Sequence, residues 1–450
     1  MRRKIYDKLL KWRQLEKGKV ALLIDGARRV GKSYIVEAFA KHEYASYVLI
    51  DFSNVPRDII GFFEDYLTNL DAFFSHLALF YRVTLKERDT LFIFDEIQFY
   101  PPARAAIKHL VADGRYDYIE TGSLMSINKN VKDILIPSEE RRIKMYPMDF
   151  EEFLWAMGDE MLMPYIRECF EQMKPLSPAL HRRAMDYFRQ YIIVGGMPQA
   201  VNEYATTRSF EHTERTKRDI VELYRSDMRK YAEGAERKVV QIFNTLPGQL
   251  QKHEKKFRLS SLKSGARFRD YESSFFWLEE SMIVNMCYAA SEPSIGLRLK
   301  IDDSTLKCYM GDTGLLISLA FDEKEATDAS LFRKLMLGKL EINKGMLIEN
   351  AVAQMLRASG HELYFFSSYS KESSQETMEI DFLIRKPEVT SRHNIIPIEV
   401  KSTSRYTHSS IDKFLKKYSN YLATPMILHT GELKQDEHIL YLPLYMTPCL

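Results

Sequence analysis

Apolar positions follow two rhythms along this chain. In the N-terminal third they come first as short strand-like runs, Val20–Ile24 and Thr90–Phe94 almost wholly apolar, Tyr47–Phe52 and Tyr116–Ser123 with polar residues among them. Such runs suit parallel strands covered on both faces. Between them the apolar residues recur at helical spacing. Residues 3–16 pack through Ile5, Leu9, Leu10 and Trp12, with Arg2, Arg3, Lys4, Lys8, Lys11 and Arg13 expected outside. Ser33–Ala40 reads as a helix, and so does the stretch from Arg57 to about Leu85, whose stripe of Ile59, Phe62, Phe63, Tyr66, Leu67, Leu70, Phe73 and Phe74 is core packing. Strand and helix in alternation predict an α/β domain, a parallel sheet with helices on both faces.

Beyond Tyr146 the pattern turns helical. Residues 148–205 read as helices interrupted at Tyr191–Val201, where Gly195, Gly196 and Pro198 mark a tight turn. Residues 206–240 read as one long helix. Arg258–Val284 reads as a short helix, a turn and a second helix running into a strand. Strands around Leu297–Ile301 and Leu306–Met310 would add a wing, the order of a winged helix. From Asn343 the pattern becomes helix, then three strands: Gly345–Arg357, Glu362–Phe366, Met378–Ile384 and Ile395–Lys401. Three domains follow, 1–155, 156–342 and 343–450, in line with a length of 450 residues.

Composition narrows this little. With 45% hydrophobic and 28% charged residues the chain is globular, and a net charge of +2 makes no global case for a nucleic-acid or acidic partner. Locally the balance shifts. Lys252, Lys255, Lys256, Arg258, Lys263, Arg267 and Arg269 crowd residues 251–270 against Glu254 and Asp270, which suits either phosphate contacts or a module used for packing. The four cysteines form no CxxC pair, which argues against zinc and a disulfide framework and fits a cytoplasmic location. The basic N-terminus lacks the apolar core of a secretory signal, and no uncharged apolar run reaches membrane-spanning length.

Candidate chemistry sits at the ends of the predicted strands. Gly26-Ala27-Arg28-Arg29-Val30-Gly31-Lys32-Ser33 fits G-x-x-x-x-G-K-[ST] between a strand and a helix, the context a phosphate-binding loop needs. Its backbone N–H groups and the helix N-terminus would face the phosphates of ATP. Lys32 would reach the β- and γ-phosphates and Ser33 would ligate Mg²⁺. Four apolar residues then end in Asp95 and Glu96. Asp95 is placed to hold Mg²⁺ through water, and Glu96 to orient and deprotonate the attacking water. Thr121 and Ser123 would lie beside the γ-phosphate. Arg141 and Arg142 are candidates for an arginine acting on a neighbouring subunit's phosphate. In the last domain, Glu349 on the helix, Asp381 on one strand and Glu399-x-Lys401 on the next form a second set. Alternation puts Glu399 and Lys401 on the same side. Asp381 and Glu399 can hold a metal ion, and a lysine beside it can steady an attacking water.

With these motifs in order, the chain resembles a bacterial and archaeal family of AAA-like P-loop ATPases that carry a C-terminal PD-(D/E)xK nuclease-like domain. The resemblance spans nearly the whole chain and rests on Gly26–Ser33, Leu91–Gln98, Thr121-Gly-Ser, Tyr146–Phe153 and Gly195-Gly-Met-Pro. It continues through Lys307–Leu315, Asn343-x-Gly-x-x-x-Glu-Asn350 and Glu-Ile-Asp381 with Pro-Ile-Glu-Val-Lys401. It implies a nucleotide site at Lys32, Ser33, Asp95 and Glu96, and a nuclease-like site at Glu349, Asp381, Glu399 and Lys401. Relatives often place Gly-Arg where this chain has Glu140-Arg141-Arg142, so the trans-acting arginine stays unassigned. The expected activity is Mg²⁺-dependent ATP hydrolysis coupled to the winged-helix and nuclease-like modules. DNA or RNA, a partner protein or a second copy of the chain are the expected partners. The alternatives are an ATP-regulated nuclease and a nucleotide switch whose nuclease-like domain is inactive.

Overall fold

In the computed structural model all residues are described except 17, 123–137, 233, 253–254, 295, 322–343, 371–375, 387, 389, 391, 404–405 and 437. The described residues form two compact units, Met1–Tyr146 and Pro147–Leu450. Ser123 and Asn343 lie outside the described residues.

In the first unit the elements are α1 (Ile5–Glu16), β1 (Ala21–Gly26), α2 (Lys32–Glu43), β2 (Ser46–Asp51), α3 (Arg57–Asp65), α4 (Leu70–Tyr81), β3 (Thr90–Asp95), α5 (Pro101–Asp113), β4 (Asp117–Gly122) and β5 (Glu140–Met145). Among the described residues the strands form a five-stranded sheet in the order β2-β3-β4-β1-β5, parallel throughout. The apolar runs are explained by burial on both faces. Ala21 and Leu23 of β1 join Val48, Ile50, Phe92, Phe94 and the inner faces of α3, α4 and α5. Leu22 and Ile24 join Leu91, Ile93, Ile119 and the apolar faces of α1 and α2. Register brings the carboxyl ends level: Ile24 pairs with Thr121, Asp25 with Gly122, and Asp51 with Asp95.

Two expectations change here. The stretch from Arg57 to Leu85 is two helices, because α3 ends at Asp65 and the Asn69 side chain caps a new start by accepting from Ala72 N at 3.3 Å. Arg3 is buried, 6% exposed, rather than outside.

The second unit opens with helices α6 (Phe150–Ala156), α7 (Leu162–Glu171), α8 (Pro178–Val194), α9 (Pro198–Thr207), α10 (Phe210–Tyr231), α11 (Glu236–Leu250) and α12 (Glu272–Glu280). There follow β6 (Val284–Ala290), β7 (Ile301–Met310), α13 (Thr313–Ala320), α14 (Lys344–Ala358), β8 (Leu363–Ser368), β9 (Met378–Arg385), β10 (Ile395–Val400), α15 (Ser409–Tyr418), β11 (Met426–His429), β12 (Lys434–Gln435) and β13 (Leu440–Pro443). The expected long helix 206–240 is broken after Tyr231, where Gly234 adopts a left-handed φ of 72°. The first short helix expected in Arg258–Val284 is a single 3₁₀ turn, Leu259–Ser261, and Leu297–Lys300 is another such turn rather than a strand. The strands expected to make a wing are not free-standing. β6 pairs antiparallel with β7 and parallel with β8, so both continue the sheet β12-β13-β11-β10-β9-β8-β6-β7. Cys287 and Ala289 are buried on β6, so the hairpin gains more by joining that sheet than by standing in water.

Three glycines allow close approaches around the turn after α8. A Cβ on Gly195 would meet the Asp312 carboxylate, one on Gly196 the Met148 carbonyl, and one on Gly314 the Val194 carbonyl. Asp312, buried, accepts from Leu315 N at 3.0 Å and Gln354 Nε2 at 3.2 Å, and also from Gly196 N. Buried Lys217 donates to Ile193 O at 2.8 Å and Gly314 O at 3.3 Å. Gly196→Ala should therefore cost about 3 kcal/mol, the upper range for overpacking. The expected result in urea is a lower unfolding midpoint with an unchanged slope.

Candidate functional site

The loop 26–33 closes on itself around Lys32. Gly31 takes a φ of 95° just before α2, which turns the chain so that the helix N-terminus faces the loop. Gly26 is needed for close approach, since a Cβ there would meet the Met145 carbonyl. Val30 is fully buried and anchors the loop, while Arg28 and Arg29 stand exposed at its tip. Ala27 is buried and its carbonyl accepts from Val30 N at 3.3 Å. The Lys32 ammonium donates to Gly26 O at 2.8 Å and Ala27 O at 3.2 Å. Burial holds its pKa below the ordinary lysine value, against the pull of Glu96, Asp25 and Asp95.

Two predicted residues converge on the carboxylate of a third, Asp95. Ser33 Oγ donates to Asp95 Oδ1 at 2.9 Å, and Thr121 Oγ1 donates to the same oxygen. Glu96, next in the chain, sits at a left-handed φ of 53°, and its N–H points to Thr121 Oγ1 at 3.4 Å. A positive φ on a glutamate is uncommon, and strain of this kind clusters at functional positions. The Glu96 carboxylate accepts from Gln98 Nε2, which fixes it at the sheet edge. A hydroxyl and carboxylates with no nitrogen donor form the oxygen set that Mg²⁺ prefers, so Ser33 and Asp95 fit that ion.

Two supporting residues escaped the sequence reading. Gln98 was only part of a motif string. Arg3 was counted with the solvated basic residues, yet it donates to Val30 O at 2.9 Å and Tyr146 O at 2.7 Å and so braces the loop. No local signal marks an arginine that satisfies distant carbonyls. Arg141 and Arg142 are both exposed on β5, paired within the chain to Glu16 and, at 3.1 Å, to Glu140.

The second predicted set also comes together, with additional members. Asp381 on β9 accepts from Val400 N at 2.8 Å, which sets it beside Glu399 and Lys401. Lys401 Nζ pairs with Glu399. Glu349 on α14, 2% exposed, is held by the Tyr309 hydroxyl and by two lysines, Lys255 and, at 3.5 Å, Lys307. Lys307, fully buried on β7, also pairs with Glu379 at 2.9 Å and Asp381 at 3.6 Å. Burial pushes the Asp381 carboxyl up, but Lys307 and Lys255 outweigh it and hold its pKa low. Burial lifts Glu399 above the usual carboxylate range, with Lys401 opposing. It also pushes Lys255 down to about 8. Among the described residues no group of three or more His, Cys, Asp or Glu is arranged to hold a metal ion. The acids here face ammonium groups, and in this arrangement they do not fit a divalent cation.

Comparison with known proteins agrees with the first unit. Residues 18–154 match a family model described as an AAA domain, residues 185–326 a domain of unknown function (DUF8612), and residues 344–446 a domain of unknown function (DUF4143). No curated protein matches the chain. Similar solved structures include the Walker-type ATPase PABY2304 of Pyrococcus abyssi, 14% identical, covering 71% of this chain and 95% of that one with a TM-score of 0.42. The Orc1 protein of Aeropyrum pernix in complex with DNA is 9% identical, covers 72% and 93%, and has a TM-score of 0.30. Cdc6p of Pyrobaculum aerophilum is 11% identical, covers 75% and 95%, and has a TM-score of 0.28. The AAA match and the loop geometry together make the first unit an AAA-type P-loop domain. No helix among the described residues is long and apolar enough to cross a membrane.

Proposed function

We propose that the protein binds and hydrolyses ATP with Mg²⁺ at the carboxyl edge of the first sheet, and that the nucleotide state governs a nucleic-acid-binding function of the second unit. The observation that carries the first part is the meeting of Ser33 and Thr121 on one oxygen of Asp95, with Glu96 next to it. Lys32 would leave the loop carbonyls for the β- and γ-phosphates, a better partner for a buried ammonium. Ser33 and Asp95 would hold Mg²⁺, which neutralises charge on the phosphates when bound. Glu96, aimed by Gln98, would orient the attacking water and take its proton. Thr121 would hold the Asp95 carboxylate in place. A cleft along α2, lined by Arg2, Arg3, Tyr6, Tyr34, Ile35 and Ala38, begins one residue after Ser33 and would take the base.

In the second unit we read the α14–β8–β9–β10 run as a nuclease-like module with the middle helices and β6–β7 packed into it. Arg258, Lys263, Arg267 and Arg269 are exposed there and suit the phosphates of DNA or RNA. The lysines facing Glu349, Asp381 and Glu399 favour binding over cutting, and so favour a nucleotide switch over an ATP-regulated nuclease. A partner protein or a second copy of the chain would serve such a switch equally.

Steady-state hydrolysis of ATP, with and without DNA and RNA, tests the reading. Lys32→Ala should lower turnover on the order of 10²–10³-fold, the scale of losing one preorganised charge-stabilising donor. An unchanged rate in that variant would place hydrolysis elsewhere. Labelled DNA and RNA incubated with Mg²⁺ or Mn²⁺ should stay intact, and cleavage that needs Lys401 would overturn the binding assignment.

A further inference from the structure

We propose that Lys255 is the resident cation of the Glu349–Asp381–Glu399 cluster and keeps divalent ions out of it. Almost every oxygen that would ligate a metal is already engaged. Glu349 gives one oxygen to Lys255, and the other faces the Tyr309 hydroxyl and, at 3.5 Å, Lys307. Asp381 Oδ1 faces Lys307 at 3.6 Å, and Oδ2 accepts from Val400 N at 2.8 Å. Glu399 is paired through Oε2 to Lys401. Its Oε1 is buried and takes no hydrogen bond from a lysine of the cluster. A buried carboxylate oxygen that no ammonium meets marks a place where a cation is favoured.

The charge count points the same way. Glu349, Glu379, Asp381 and Glu399 oppose Lys255, Lys307 and Lys401, which leaves one net negative charge. A divalent ion added with all the lysines in place would reverse that sign and set like charges against each other at low effective dielectric. One ammonium must leave for the ion to enter. Lys307 is fully buried within β7, and Lys401 directly follows β10 with its N–H bonded to Leu428 O at 2.8 Å. Lys255, like Lys401, stands outside any strand or helix, between the end of α11 at Leu250 and the single bridge from Lys256 to Lys307, and its side chain is 12% exposed. Of the two lysines that are not fully buried, Lys401 lies two residues from Glu399, whereas Lys255 reaches the cluster from a segment that carries none of its acids. The excluded ligand is a hard, oxygen-seeking divalent cation such as Mg²⁺ or Mn²⁺.

Mn²⁺ titration of the full chain without nucleotide, read by the resonance signal of free Mn²⁺, tests this directly. Wild type should show no binding that Asp381→Asn removes. Lys255→Met and Lys255→Gln should each gain one site, at least about tenfold tighter than any in wild type and lost again when Asp381→Asn is added. Lys255→Arg should behave as wild type. A thermal melt identifies folded variants, and Mn²⁺ should raise the midpoint of Lys255→Met but not that of wild type. Wild-type binding that depends on Asp381 would show that the ion and Lys255 coexist, and would overturn the proposal. So would a folded Lys255→Met or Lys255→Gln that binds Mn²⁺ no better than wild type. Neither result bears on ATP hydrolysis, because no nucleotide is present.

Discussion

Glu96→Gln is expected to leave ATP binding intact and to slow hydrolysis on the order of 10²–10⁴-fold, the range for loss of a general base. Glutamine keeps the size of the side chain and can still meet Gln98, so the loop and Asp95 should hold their places. What it cannot do is accept the proton of the attacking water. The backbone supports this assignment, because a φ of 53° at Glu96 costs energy that the surrounding contacts must cover. Thr121 receives the Glu96 N–H and donates to Asp95, so the two acids are oriented by one hydroxyl. Retention of labelled ATP on a filter, beside steady-state phosphate release, separates binding from turnover. Wild-type turnover in this variant would remove Glu96 from the role of base.

Lys307→Ala should be the most destabilising single change in the second unit, by about 3–5 kcal/mol, the cost of stranding buried charges. Lys307 is 0% exposed and faces Glu379, Glu349 and Asp381, with its ammonium 5.0 Å from the centre of the Phe365 ring. Burial alone would lower its pKa, yet Glu379 and Asp381 outweigh burial and hold it above the ordinary lysine value. In wild type the depressed Asp381 carboxyl stabilises the fold above its unfolded pKa, and that contribution fades as pH falls through its folded pKa. In the variant the cause of the depression is gone and burial favours the neutral acid. Its deficit against wild type should therefore narrow on acidification toward about pH 4, where carboxylates take up protons. Denaturant unfolding at neutral and acid pH reads this, and Lys307→Met separates lost charge from lost packing. An equal deficit at both pH values would mean that packing, not charge, sets the cost.

Much of the first unit was legible because its signals are local. Val20–Ile24 and Thr90–Phe94 are almost wholly apolar runs, and a strand buried on both faces needs nothing else. The loop motif carries its own context, and Asp95 and Glu96 follow their strand directly. The split between α3 and α4 was hidden because the apolar stripe runs through it and only the Asn69 cap marks the break. Other features depended on distant partners. Lys307 lies in a strand of alternating character, and a lysine there reads as solvated unless the acids of β9 and α14 are known to face it. Lys255 sat inside a basic cluster whose other members are largely exposed, so its inward turn left no trace. Arg3 was hidden for the same reason, since the carbonyls it satisfies lie far along the chain. The β6–β7 pair was legible as strands, but the neighbour it joins, β8, comes more than fifty residues later.

That junction decides how the protein can be cut. A fragment beginning at residue 343 would leave β8 without β6, uncovering a row of backbone donors and acceptors and the apolar side chains Leu363 and Phe365. An open edge of that kind recruits other chains. The fragment would also lose Lys255, Lys307 and Tyr309, so Glu349, Asp381 and Glu399 would stand in surroundings the intact protein never offers them. Metal binding or cleavage seen with such a piece would report on the truncation. The break between Tyr146 and Pro147 severs no sheet, and expression of the chain from Pro147 onward keeps β6, β7 and β8 together.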